Sequence, residues 1–146
     1  MFIGASPGST GGGIKTTTFG VILFYVIGIV KKKENVEIFN RRLDWEIMNR
    51  ALAILVLAIT YVSIVIMLML IAENFSPEEI VFEVISAFGT VGLTLGITPQ
   101  LSVLSKLLII ITMFIGRLGP LTFALAIGET KKKAISKYPK ENILVG

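Results

Sequence analysis

SPEEIVFEVISAFGTVGLTLGITP, residues 76–99, changes character at Gly89. Its first half reads as a helix with a defined start. Ser76 can cap, Pro77 suits the first helical position, and Glu79 completes a capping box. Ile80, Val81, Val84, Ile85 and Phe88 then recur at helical spacing. The predicted helix runs about 13 residues, roughly 20 Å, which is too short for a hydrocarbon core of about 30 Å. After it, Thr90-Val91-Gly92-Leu93-Thr94-Leu95-Gly96 is small, β-branched or Gly, and Ile97-Thr98-Pro99 closes the stretch. Two readings fit. One is a re-entrant pore loop, a short helix dipping in from outside followed by an extended return. The other is an amphipathic external helix followed by a plain loop. The pore-loop reading uses these residue types. The helix C-terminus carries about half a negative charge, which favours a cation. An extended strand can turn carbonyls inward to replace an ion's water shell, and Thr hydroxyls add oxygen ligands. Gly92 permits backbone geometry that a Cβ resists.

Working outward, the flanks are apolar. One stretch runs from Ile47 to Ala72, with no Lys or Arg after Arg50, and another from Leu104 to Ile127, with Arg117 in its lower half. Both are long enough to span; the earlier run, Phe19 to Val30, is short unless preceding residues also lie in the membrane. Lys31, Lys32, Lys33, Arg41, Arg42 and Arg50 crowd the first link, and Lys131, Lys132, Lys133, Lys137 and Lys140 crowd the tail. Between Glu73 and Ser105 there is no Lys or Arg. The positive-inside rule therefore predicts a cytoplasmic link and tail, with residues 73–105 outside. Asp44 reads as a helix cap and Trp45 as an interfacial anchor.

Composition agrees with a membrane setting. Only 16% of residues are charged and 53% are hydrophobic, whereas soluble domains carry about a quarter charged. The net charge of +4 sits beside apolar runs, which fits a membrane surface rather than nucleic acid. No His and no Cys are present, which removes most zinc, iron–sulfur, thiol and His-based catalysis. The spans hold no paired carboxylates, so no enzyme is expected. No basic segment precedes an apolar core at the start, so no signal peptide is read.

Met1-Phe2-Ile3-Gly4 recurs as Met113-Phe114-Ile115-Gly116, and each copy later reaches a lysine triplet. Gly116 to Lys131 is 15 positions and Gly4 to Lys31 is 27. The first copy thus carries an insertion of about a dozen residues, for which the Gly-rich stretch is the obvious candidate; internal repeats are common in transporters. Because the second copy lies within a predicted span, the first is expected to begin mid-helix. Gly11-Gly12-Gly13 disfavours helix by about 1 kcal/mol per residue against Ala. That makes it a break, read either as a hinge-like gate or as a structural linker. A nucleotide P-loop is excluded, because Ile14 separates Gly13 from Lys15 and no strand precedes. Arg117, near mid-membrane, costs about 2.5–3.5 kcal/mol on insertion scales. It therefore faces a cavity or partner, or snorkels to the cytoplasmic headgroups. Glu83 reads as a cap or buttress of the short helix, with no ion-binding role.

Ser86-Ala87-Phe88-Gly89-Thr90-Val91-Gly92-Leu93-Thr94 resembles the Trk/Ktr/HKT superfamily of potassium transporters, and among them the Ktr-type (KtrB) pore subunits. Ser6-Pro7-Gly8-Ser9-Thr10-Gly11-Gly12-Gly13-Ile14-Lys15-Thr16, Met113-Phe114-Ile115-Gly116-Arg117-Leu118-Gly119-Pro120-Leu121-Thr122 and Glu141-Asn142-Ile143-Leu144-Val145-Gly146 carry the likeness along the chain. Such subunits have four helix–pore-loop–helix units around one pore. The resemblance implies an all-α membrane protein, a C-terminal fragment comprising the fourth unit and the broken second helix of the third. Residues 1–33 would hold that helix, with its intramembrane loop at about 6–16, and 34–46 a cytoplasmic link. Residues 47–128 would form the fourth unit, with spans 47–72 and 104–127 around a pore helix and filter at 76–96; 129–146 would be a cytoplasmic tail. By the resemblance, Thr90, Val91, Gly92 and Leu93 bind K+ through backbone carbonyls. Gly8, Ser9, Thr10, Gly11, Gly12, Gly13 and Lys15 belong to a gating loop, and Arg117 is a pore-facing basic residue. The transported ion would be K+, with Na+ as a coupling or activating ion. Implied partners are the remaining pore units, a second pore subunit, a cytosolic ring of nucleotide-binding RCK-type regulatory subunits, and membrane lipid, with no nucleic acid. The implied location is a bacterial or archaeal inner membrane, multi-pass. One filter strand cannot encircle an ion, so the alternatives are a non-conducting fragment or a small membrane-anchored interaction protein.

Overall fold

The computed structural model describes residues 1–6, 8–31, 37–38, 41–42, 45–119 and 122. Pro7, Lys32, Lys33, Asp44, the lower part of the third apolar stretch and the lysine-rich tail lie outside the described residues. Helices dominate the rest: α1 (Thr16–Val30), α2 (Trp45–Ala72), α3 (Pro77–Phe88) and α4 (Val103–Leu118). The link between α1 and α2 contains a minimal antiparallel hairpin, β1 (Glu37–Ile38) and β2 (Arg41–Arg42), with Glu37 opposite Arg42.

The 28-residue α2 is long and apolar enough to cross a membrane. At 1.5 Å per residue it reaches about 42 Å. Its buried stripe is Met48, Ala51, Ala58, Val62, Val65 and Met69, at helical spacing. Its opposite side is also apolar, with Leu52, Val56, Ile59, Ile64 and Met67 exposed. Apolar residues all round are the pattern of a helix solvated by lipid or protein rather than by water. The 15-residue α1 is apolar but shorter, and Tyr25 on it meets Trp45 at the start of α2, edge to face, with ring centroids 6.1 Å apart.

The capping box at α3 forms as read. Ser76 accepts from the Glu79 amide, and Glu79 returns a bond to the Ser76 amide. Each such cap is worth about 1 kcal/mol. Val62, Val65 and Met69 of α2, Ile80, Val84 and Phe88 of α3, and Ile109 of α4 share one core with Ile14, Ile97 and Leu101. Tyr61 of α2 and the fully buried Thr112 of α4 are joined by a hydroxyl hydrogen bond of 3.1 Å. Thr112 in turn donates to the Leu108 carbonyl at 2.7 Å. Every buried hydroxyl in this contact is thereby satisfied, as low-dielectric surroundings require.

One expectation is overturned. The first Met-Phe-Ile-Gly copy is not helical. Its backbone groups are taken by the far end of the Gly-rich stretch. The Gly4 amide donates to Ile14 O at 2.7 Å, and the Ile14 amide donates to Phe2 O at 3.2 Å, closing a parallel bridge between Ile3 and Ile14. The insertion inferred from the repeat is therefore a loop closed at its base, and α1 starts directly after it at Thr16.

At the other end of α2, the Glu73 carboxylate accepts from the amide of Ser102, the residue capping α4, at 2.9 Å. Hydrogen bonds from Ser102 and Ser105, with Lys106 nearby, hold the Glu73 carboxyl below its ordinary value. A lowered folded-state pKa means that folding favours the charged form. The stabilisation is complete above the ordinary carboxylate range and is lost as pH falls through the lower, folded value. Glu73→Gln is therefore expected to lower the thermal midpoint of the detergent-solubilised protein at pH 7. That difference from the parent should narrow as pH falls below the ordinary carboxylate range. A difference equal at pH 7 and pH 3 would show that the charge is not what joins α2 to α4.

Candidate functional site

The end of α3, the return strand, the Gly-rich loop and the last turns of α4 meet at one point. A Cβ on Gly116 would stand 2.0 Å from the Phe88 carbonyl oxygen. One on Gly12 would stand 2.9 Å from the same oxygen and 2.8 Å from Thr90 Cγ2. Glycine is what lets two backbones approach the last carbonyl of α3 from different sides. The repeat thus has a structural meaning. In its first copy, Gly4 is likewise against a carbonyl, with a Cβ reaching to 1.8 Å from Gly12 O.

Hydrogen bonds fasten the loop to this point. The Gly12 amide donates to Thr90 Oγ1 at 2.8 Å, and the Gly13 amide donates to Gly116 O at 3.1 Å. An α-helical donor to Gly116 O would come from position 120, which is Pro and has no N–H. The loop amide thus supplies the bond that α4 cannot make for itself. Lys15 Nζ donates back to Gly11 O at 2.7 Å and Ser9 O at 3.5 Å. Of the residues assigned to this loop, Gly12 and Gly13 are buried, Gly11 and Lys15 are half-buried, and Gly8, Ser9 and Thr10 are exposed.

The irregular segment after α3, the return strand of the sequence reading, joins no β-ladder among the described residues and alternates in handedness at its start. Thr90 has φ 51° and Gly92 φ 80°, while Val91 and Leu93 have ordinary negative φ. Such alternation aligns successive peptide groups, sending N–H groups to one side and carbonyls to the other. For a β-branched residue, positive φ is costly and marks a constrained site. The constraint is visible. The Thr90 amide donates to Ala87 O at 3.0 Å, the Val91 amide to Ser86 O at 2.9 Å, and Thr90 Oγ1 receives Gly12. Among the described residues, no donor reaches the carbonyls of Thr90, Val91 or Gly92. Leu93 differs from the other three filter candidates, because its carbonyl accepts from Ser86 Oγ at 2.6 Å. Its oxygen is thus turned toward α3.

Arg117 lies in the last turn of α4, where the negative end of the helix dipole favours a cation. It shares an open cavity of about 620 Å³ with Thr10, Gly11, Thr90, Met113 and Phe114. The structure thus brings the loop, the first residue of the strand and Arg117 around one space. Lys15, not Arg117, is the cation hydrogen-bonded to the loop carbonyls. Two features escaped the sequence reading. One is the Gly116–Phe88 contact, which the repeat signalled without explaining. The other is Glu83, which holds the return strand rather than capping its helix. Its signal was a carboxylate standing between Ile80 and Val84 on the apolar face of α3. Among the described residues, no group of three or more Asp or Glu that could hold a metal ion occurs.

A largely helical chain whose α2 is long and apolar enough to cross a membrane, with a short capped helix leading into constrained backbone, is a helical membrane protein. The chain belongs to the TrkH family of cation transport proteins, whose model matches residues 1–137, and within the Trk/Ktr/HKT superfamily it is of the Ktr pore-subunit type. This is a family of transporters and not of enzymes. The chain is 45% identical over 146 residues to the Ktr system potassium uptake protein B of Bacillus subtilis, covering all of this chain and 33% of that protein. It is 44% identical to the Ktr system potassium uptake protein D of the same organism, covering 100% of this chain and 32% of that protein. To the potassium/sodium uptake protein NtpJ of Enterococcus hirae it is 41% identical over 152 residues, covering 100% of this chain and 34% of that protein. The chain thus spans about a third of the length of these relatives.

The glycine contacts make a paired prediction. Gly116→Ala should destabilise the solubilised protein by about 1–3 kcal/mol, the usual range for overpacking. Gly20→Ala, inside α1 with no atom within 4 Å of its Cβ position, should be neutral or stabilise by about 0.5–1 kcal/mol. Thermal or denaturant unfolding checks both. Equal effects at the two positions would contradict the close approach.

Proposed function

We propose that this chain is part of the pore-forming subunit of a potassium uptake system, with the carbonyls of Thr90, Val91 and Gly92 contributing one quarter of a K+ filter. The observation that carries this reading is the alternating strand at the end of α3, with its three carbonyls unpaired. Unpaired extended backbone at membrane depth is tolerated only where it lines a cavity or is buried in protein. The C-terminal dipole of α3 adds favourable potential for a cation. Ser86 removes Leu93 O from the proposed ligand set. The ring is completed by three further helix–pore-loop–helix units in a four-unit pore, which this chain alone does not supply. Residues 73–105 face outward and the lysine-rich segments face the cytoplasm, in a multi-pass inner-membrane protein. A second pore subunit and a cytosolic RCK-type nucleotide-binding ring are the partners proposed, with Na+ as the coupling or activating ion.

The Gly8–Lys15 loop is proposed as the gate beneath this filter. Support comes from its hydrogen bonds to Thr90 and Gly116, and from the cavity it shares with Arg117. Arg117 is proposed to face the ion path and to raise the barrier to cation flow.

Two measurements test these roles in the full-length, assembled transporter. Gly92→Ser should loosen K+ over Na+ selectivity in flux assays, because a side-chain residue resists the φ of 80° found there. The parent should also rescue growth of a strain deficient in potassium uptake. Unchanged selectivity, or a parent that fails to rescue, would overturn the filter reading. Arg117→Ala should raise K+ flux by about three- to tenfold, the scale of one charge removed from a partly screened path. Parental flux would instead place the guanidinium among the headgroups.

A further inference from the structure

Glu83 is 5% exposed, on the apolar face of α3. An ionisable group held inside a membrane segment is costly and marks a functional position. Its described partners are hydroxyls rather than cations. Glu83 Oε1 accepts from Thr94 Oγ1 and, at 2.8 Å, from Thr98 Oγ1. Those two hydroxyls lie 2.8 Å from one another, and Thr94 Oγ1 also receives the Gly96 amide at 2.9 Å. One turn further along the same face of α3, Ser86 Oγ donates to Leu93 O. The return strand is thus held to α3 by polar contacts at 93, 94 and 98.

Apolar packing takes hold again only at Ile97, which is buried in the core, and does not hold the residues before it. Residues 91–96 are all exposed. Behind the strand lies an open cavity of about 340 Å³, bordered by Glu83, Ser86, Gly92, Leu93, Thr94 and Thr98. A strand backed by space is free to shift unless hydrogen bonds fix it. The contacts begin immediately after the three unpaired carbonyls, so they set where that segment ends.

We propose that Glu83 is a positioning residue for ion selection. Through Thr94 and Thr98 it fixes the outer end of the strand, and so the spacing at which the Thr90–Gly92 carbonyls meet an ion. This inference rests on the filter reading given above. The difference between K+ and Na+ is one of size and of ligand field, and both change when a carbonyl strand relaxes. The role is geometric. Both hydroxyls use a single carboxylate oxygen, which the oxygen of an amide can replace.

That geometry gives the test, in the full-length assembled transporter reconstituted in liposomes, with K+ and Na+ uptake measured side by side. Glu83→Gln is expected to keep K+ over Na+ selectivity within about twofold. Glu83→Ala is expected to lose about tenfold, the upper scale of one lost hydrogen bond. Thr94→Val/Thr98→Val should lose a comparable factor while keeping the carboxylate, so the test survives even where Ala at 83 does not fold. Combining all three changes should cost no more than Glu83→Ala alone, because the residues act as one unit. Parental selectivity in Thr94→Val/Thr98→Val, a Gln variant as impaired as the Ala variant, or additive losses would each overturn the proposal. Gly92→Ser separates the two levels. If it loosens selectivity while the Glu83 and Thr variants do not, this inference alone fails; if all are silent, the filter reading fails with it.

Discussion

The carbonyl of Phe88 is approached by two glycines, Gly12 and Gly116, at distances no side-chain-bearing residue could reach. That contact fixes how deep α4 sits against the end of α3. It also fixes where the Gly-rich loop rests and the level at which the strand begins. Phe88 is fully buried, and Phe2 stacks on its ring at 5.5 Å, so the ring closes the same junction from the other side. A methyl group inserted at Gly116 would separate α3 from α4 and carry the docking acceptor of Gly13 away with it. Close backbone approach through small residues is the usual means of association where lipid is as apolar as the side chains.

Two kinds of fastening radiate from this point, and they differ in character. Toward the core, α3 is held by apolar burial against α2 and α4. Toward the strand it is held by hydrogen bonds that Ser86 donates and Glu83 accepts, with exposed backbone between. Apolar burial is non-directional, whereas hydrogen bonds to fixed atoms place a backbone within narrow limits. Under the filter reading proposed above, an element that presents carbonyls at a set spacing gains from the second kind, which would account for a carboxylate and three hydroxyls concentrated along one side of α3.

What was legible in the sequence was local. Ser76, Pro77 and Glu79 announced the start of α3, Gly89 its end, and the uncharged run after Arg50 the span of α2. These depend on neighbours a few residues apart. The Met-Phe-Ile-Gly repeat was visible, but its conformation was not. Helical geometry in the second copy was transferred to the first, where Ile14 instead takes the backbone groups of Phe2 and Gly4. The contacts of Gly12 with Thr90, of Gly13 with Gly116 and of Glu83 with Thr98 join residues 78, 103 and 15 positions apart in the chain. No periodicity encodes them, and only the hydroxyl-rich return and the stray carboxylate hinted that they were there.

The fastening of the loop is also slight. Next to its base, at Gly12 and Gly13, two hydrogen bonds reach outward, to Thr90 and to Gly116. Its other bonds are internal or close its base. Net contributions of about 0.5–1.5 kcal/mol per hydrogen bond put loss of both outward bonds at roughly 1–3 kcal/mol. Coupling free energies between distant sites fall in the same range, about 1–3 kcal/mol. Under the proposed gating role and orientation, a partner acting from the ends of α1 and α4 that would face the cytoplasm need supply no more than an ordinary regulatory interaction. The closed base would keep the loop in register through each release. Lys15 would also keep the Gly11 and Ser9 carbonyls occupied, so that a loop exposed at residues 8–10 does not itself become a trap for the ion it is proposed to admit.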